Sequence, residues 1–455
     1  MKAGQVGMLA AAAVCVLLTS CATAPPAAER DRGREKIIQR QQMIWYIGEE
    51  YRFVWDPEVT SLVKEIGINL SRAVGASDND FHFYIIDQPS INAFTTPQGD
   101  IFIFSGMLTK MQNSSELAGV LAHEIAHVRA DHFSQMQRRA TMSSIPGLVA
   151  AILSKGDPRV IASTIAAAQS YQLHWSREME FESDRLAVQY LGLTDYDQAG
   201  LLGAMRVIQK GQRLLPVDAP EGLMTHPVTS SRIANMEGGL SRMPGERYEP
   251  AYDASWERMR AVLLALTDRP GVVLRGYRKR LDDGGADAQD QLGLVYARQG
   301  NYPAAEEAFR QAVAAEPGDA RFLADLGSAL FHQGKMEEAR DAFLRSLQAE
   351  GGKKYSYPYY FLGEIHREAG DTDAGYRYYQ SAASSWPPIS ESHYQLALML
   401  AEREELGEAD YHFGKAARLR GDFASALRSF SRAEARLGSD PVWASRISAE
   451  LWEMQ

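Results

Sequence analysis

The sequence predicts a chain in two parts, an α+β domain ending near residue 245 and an all-α repeat solenoid beyond it. Two observations predict this division. A metal-binding pattern sits on a helix in the first half, and small and aromatic residues recur every 34 positions in the second. The 455-residue length, with two cysteines, sets the terms: such a chain can bury two or three cores without a disulfide.

The pattern in the first half is His123-Glu124-Ile125-Ala126-His127, preceded by the helical run Ser115 to Ala122. Two histidines four apart lie on one helical face and can direct both imidazoles at a single metal ion, for which zinc is the natural choice. Glu124, next to the first ligand, then lies beside the metal's open position. There it can take a proton from the attacking water and hand it to a leaving amine, the chemistry of peptide-bond hydrolysis. Zinc in a hydrolase takes a third protein ligand, and the acidic helical segment Ser176 to Ala187 offers it. Glu180 and Asp184 stand four apart on one face. The first is assigned as ligand and the second as the carboxylate that orients a ligand histidine. Glu178 and Glu182, two positions from Glu180, face elsewhere and read as solvated charges. His132 reads as a residue at the end of the motif helix.

These motifs, with Ile91-Asn92-Ala93-Phe94, the run Gly99 to Gly106, Thr225-His226-Pro227 and Arg232-Ile233, resemble the CAAX-prenyl-protease/HtpX-type zinc metallopeptidase family over roughly residues 35 to 240. The resemblance implies a zincin-like (gluzincin) α+β fold, one zinc ion per chain and endopeptidase activity. It also implies an edge strand at Ile101, Phe102, Ile103 and Phe104 that would hold an extended substrate along the cleft. In the periplasmic members a His-Pro loop reaches the metal's open position. His226 is therefore a regulatory ligand candidate, with a turn-stabilising histidine as the alternative. Pro97-Gln98-Gly99 departs from the family's usual turn.

The first twenty residues carry Lys2, the apolar stretch Met8 to Leu18, and then Leu18-Thr19-Ser20-Cys21. This is a secretory signal too short to span a bilayer, and its end resembles a bacterial lipobox, which implies cleavage before Cys21 and acylation there. Ala22 in the next position points to the periplasmic face of the outer membrane. Residues 21–34, rich in Ala, Pro and charge, read as a flexible tether. The net charge of −10 argues against nucleic acid as a partner. Two apolar runs, Ile145 to Leu153 and Val160 to Ala168, read as a buried hairpin or as a lid over the cleft.

Beyond a connection at 246–284, residues 285–440 match the tetratricopeptide pattern, and 441–455 form a C-terminal helix or tail. Gly293 and Gly327, Ala305 and Ala339, and Phe309 and Phe343 each recur at 34. Gly421 to Ala433 reads as a final helix that reuses the preceding one as its partner. Such stacks present a groove for proteins. Tyr355, Tyr357, Tyr359 and Tyr360 suit contacts with clients or packing within the stack. By the resemblance, the clients are misfolded or assembling outer-membrane proteins, with the β-barrel assembly machinery as a further partner. The membrane is then touched through the lipid anchor alone. The alternative is a chaperone or assembly scaffold with a latent protease site.

Overall fold

The computed structural model describes residues 51–139, 177–212, 228–241, 251–281 and 285–454, apart from single positions and 350–354, together with Ile44, Ile47 and Gly48. The leader and tether with Cys21, the two apolar runs and His226 lie outside the described residues.

Helix α1 (Pro57–Ala73) starts where Asp56 caps it, its carboxylate accepting from the Glu58 and Val59 N–H groups, with proline in the first turn. Strands β1 (His82–Ile86), β2 (Ala93–Thr95) and β3 (Asp100–Phe104) follow and form a sheet of order β1-β3-β2. β3 runs parallel to β1 and antiparallel to β2. This corrects the expectation for Ile101, Phe102, Ile103 and Phe104, which form the middle strand and not an edge. Their ladder groups are engaged by both neighbours. The physical reason is legible in hindsight: a run that is apolar at every position is buried on both faces, and Ile101, Phe102 and Ile103 are fully buried. The outer place goes to the three-residue β2.

After α2 (Ser105–Lys110) comes the motif helix α3 (Ser114–Arg129), buried at every position from Glu116 to His127. Asn113 caps it by accepting from the Glu116 N–H at 3.1 Å, while the Glu116 carboxylate reaches back to the Gln112 N–H at 2.9 Å. Helices α4 (His132–Arg139), α5 (Arg177–Leu191), α6 (Gly200–Gln212) and α7 (Ser230–Leu240) complete this layer. α3 and α6 meet backbone to backbone. A Cβ on Gly119 would lie 2.5 Å from the Leu201 Cα, and one on Gly200 would lie 2.1 Å from the Ser115 carbonyl oxygen. The connection between the two halves is core as well. On α8 (Ala254–Thr267), Trp256 is fully buried and its indole N–H donates to the Met111 carbonyl at 3.2 Å, ahead of α3.

Past α9 (Pro270–Arg280), paired helices stack: α10 (Gly285–Arg298) with α11 (Tyr302–Ala315), α12 (Ala320–Phe331) with α13 (Met336–Ala349), α14 (Ser356–Glu368) with α15 (Thr372–Ala383), and α16 (Ser390–Glu402) with α17 (Leu406–Leu419). In the first three pairs an aromatic ring on the second helix fills the space over a glycine on the first. Side chains at Gly293, Gly327 and Gly363 would meet Phe309, Phe343 and Tyr379 within 2.4, 2.6 and 2.7 Å. The same lock joins Gly414 of α17 to Phe430 of α18 (Phe423–Leu437), so α17 is the second helix of one pair and the first of the next. α19 (Pro441–Trp452) ends the stack.

The two halves share a buried ionic joint. Arg258 of α8 contacts Glu58 at 3.0 Å, Asp290 at 2.8 Å, Asp325 at 2.6 Å and the Tyr355 hydroxyl at 3.1 Å, while that hydroxyl donates to Glu58 at 2.7 Å. Next to it Arg298 pairs with Asp56 at 2.8 Å, and Trp55 packs against Phe423, so the stretch 55–58 touches both ends of the array. Tyr355 is thus packed inside the molecule and offers no client surface. Three carboxylates around Arg258 leave excess negative charge. Burial pushes Asp290 well above the usual carboxylate range and raises Asp325, while Arg258 holds Glu58 low against its own burial. An acid raised in this way binds its proton more tightly folded than unfolded. Its contribution is complete below the unfolded pKa of about 3.9 and is lost as pH rises through the folded one. Asp290→Asn, neutral at every pH, should therefore lose less stability than wild type as pH rises from about 4, read as the urea midpoint. Equal loss in both proteins would remove the raised carboxyl from this account.

Candidate active site

Helical spacing sets His123 and His127 on one face of α3, with their Nε2 atoms 3.1 Å apart. Across from them α5 presents Glu180. Its Oε2 lies 3.6 Å from His123 Nε2 and its Oε1 lies 3.5 Å from His127 Nε2. All three side chains are buried. Two imidazole nitrogens this close share either a proton, as an N–H···N hydrogen bond, or a cation, and the buried Glu180 carboxylate set against both rings supplies the third donor that a cation needs. Bonds of zinc length give a tetrahedral edge of about 3.3 Å, which the three separations bracket. The donor set therefore fits a metal ion, and among the described residues it is the one group of three such side chains so gathered.

Two further groups fix this arrangement. Asp184, one turn after Glu180, places Oδ1 3.0 Å from His123 Nδ1. Arg232 of α7 grips Asp184 with both arms, Nε to Oδ2 at 2.9 Å and Nη2 to Oδ1 at 2.6 Å, and its Nη1 pairs with Glu180. Sequence reasoning met Arg232 within a motif but gave it no role. The signal was present, since two carboxylates on one buried helix face need a cation beyond the imidazoles. Burial works against a charged His123, but hydrogen bonding and charge from Asp184 and Glu180 outweigh it and push the imidazolium up to about 9. His123 and Arg232 likewise hold Asp184 below the usual carboxylate range in spite of its burial. The site is built for positive charge.

Glu124 is buried beside His123 in a cleft whose wall is apolar at Ile91, Met107, Val120, Met205 and Ile208, with the buried Arg232 also lining it and Ala93 of β2 as its strand border. Val228, two positions after His226, also lines it. Glu178 and Glu182 are both exposed, as expected, and Glu182 in addition meets His132, Oε2 to Nε2 at 3.3 Å. His132 is fully buried, with its Nδ1 3.1 Å from His127 Nδ1, which a residue merely ending the helix would not be.

A helix-borne pair of histidines, an adjacent glutamate and a glutamate from a second helix, set in an apolar cleft, define a metallopeptidase-type centre. Residues 57–239 match the model of Peptidase family M48 and residues 291–353 that of the Tetratricopeptide repeat. The chain thus carries an M48 metallopeptidase domain followed by helical repeats, which bears out the resemblance. Among curated relatives, the Beta-barrel assembly-enhancing protease of Yersinia pestis is 26% identical over 284 residues, 59% of this chain and 58% of the relative. That of Escherichia coli (strain K12) is 26% identical over 296 residues, 62% and 60% of the two chains. The mitochondrial Metalloendopeptidase OMA1 of Bos taurus is 25% identical over 172 residues, 36% and 33%. The matched part of the chain spans about three-fifths of the length of the two bacterial proteins.

Zinc content measured after dialysis tests the ligand set. Glu180→Ala should lose most of its zinc, and Asp184→Asn should bind it about ten- to a hundredfold more weakly. Full occupancy in Glu180→Ala would move the third ligand to another carboxylate.

Proposed function

We propose that this chain is a zinc-dependent endopeptidase held at the periplasmic face of the outer membrane by an acyl anchor on Cys21, acting on misfolded or assembling outer-membrane proteins. The observation that carries the reading is the convergence of His123, His127 and Glu180 beside Glu124 at the wall of an apolar cleft. Zinc, held by those three side chains, supplies a Lewis acid. Glu124 accepts the proton of the attacking water and delivers it to the leaving amine nitrogen. Arg232, bound to both Glu180 and Asp184, holds the two carboxylates in place, while Asp184 keeps His123 oriented. The apolar wall keeps bulk water from competing for these groups.

The bacterial relatives, named for enhancing β-barrel assembly, support the client class and the periplasmic address. No described helix is long and apolar enough to cross a membrane. Exposed Tyr394, Leu398 and Leu406 on α16 and α17 support protein contacts through the later repeats. The position of Val228 in the cleft supports His226 as a regulatory ligand. The second reading, a scaffold with a latent site, draws support from the joint, where Asp290 and Asp325 on the first helices of the repeats are engaged by Arg258 of the connecting helix α8.

The test is Glu124→Gln, which keeps shape and metal ligands but cannot accept a proton. Cleavage of an unfolded protein such as casein should fall at least about a hundredfold while zinc stays bound. A variant that cleaves at the wild-type rate would end the assignment of Glu124 as base.

A further inference from the structure

His123 and His127 are supported differently. His123 faces a carboxylate directly, Asp184 at 3.0 Å, whereas the atom facing His127 Nδ1 is another imidazole nitrogen, His132 Nδ1 at 3.1 Å. The far side of that second ring, Nε2, faces Glu182 Oε2 at 3.3 Å, and the Ser183 hydroxyl lies 3.4 Å from its Nδ1. His127, His132 and Ser183 are completely buried, while the Glu182 side chain is about half exposed. A ligand that gives Nε2 to a metal is a neutral imidazole with its proton on Nδ1. That proton needs an acceptor, and His132 Nδ1 is in place to be one. His132 must then carry its own proton on Nε2, where Glu182 stands to accept it. One constraint at the metal thus fixes the tautomers of two rings and the role of Glu182, a carboxylate two positions before the other anchor, Asp184, on α5.

We propose that His132 and Glu182 are positioning residues for the ligand His127, acting as a hydrogen-bonded chain from His127 Nδ1–H to His132 Nδ1 and from His132 Nε2–H to Glu182. The short segment Glu180 to Asp184 then supplies a ligand, an anchor for His123 through Asp184 and an anchor for His127 through Glu182, while α4 contributes the intervening ring. This rests on the zinc reading above.

The test measures zinc affinity by chelator competition and the visible absorption of the cobalt-substituted protein, with melting of the metal-free form as the control for folding. His132→Leu fills the space without an acceptor and should weaken zinc binding about ten- to a hundredfold and alter the cobalt spectrum. His132→Asn, whose Oδ1 can take the place of Nδ1, should restore most of the affinity. Glu182→Ala, at a half-exposed position, should keep the metal-free melting temperature and weaken binding several-fold. Equal affinity in the Leu and Asn variants, or wild-type affinity and spectrum in Glu182→Ala, would overturn the proposal, and the latter decides the matter even where His132→Leu does not fold. A wild-type protein that takes up no zinc would instead defeat the reading on which the proposal rests.

Discussion

The need to keep charge satisfied away from water governs the candidate site. Glu180 and Asp184 are buried on one face of α5, and each would carry a desolvation penalty of several kcal/mol if left alone. Arg232 answers both, and His123 is drawn toward its protonated form between them. In the metal-bound protein the cation replaces that proton, so the same fields that raise the imidazole also favour the metal. Everything around the site serves to hold these groups at fixed separations. The capped α3, buried from Glu116 to His127, fixes the imidazoles, and the backbone contact of Gly119 with α6 fixes α3.

The same device recurs where the two halves meet. Arg258 gathers Glu58, Asp290 and Asp325 from three separate elements, so the array cannot leave the first domain without exposing or stranding charge. Trp256, two residues before Arg258 on α8, anchors the opposite face of that helix to the loop ahead of α3. One helix therefore links the repeats to the element that bears the histidines.

Much of this was legible in the residues because local periodicity controls it. The α-helical period alone places His123 with His127 and Glu180 with Asp184, and the 34-residue recurrence of Gly293, Gly327, Phe309 and Phe343 is the glycine-aromatic lock seen in the first pairs. What stayed hidden depends on partners distant in sequence. Strand order is such a case, because β3 pairs with β1 across a crossover and its interior position follows from burial on both faces. The Arg258 joint is another, since Tyr355 and Glu58 are 297 residues apart. Glu182 looked like a solvated charge because it is spaced off the ligand face, and nothing in α5 itself reveals that His132 of α4 folds against it.

The central claim is a metal held by two imidazoles of α3 and one carboxylate of α5. Zinc K-edge X-ray absorption on the loaded protein carrying His226→Ala tests it most directly, because that substitution removes the one further imidazole assigned to the site. The account predicts scattering from two imidazole rings with nitrogen and oxygen neighbours at about 2.0–2.2 Å. A single imidazole, or a first shell without carboxylate oxygen, would contradict it.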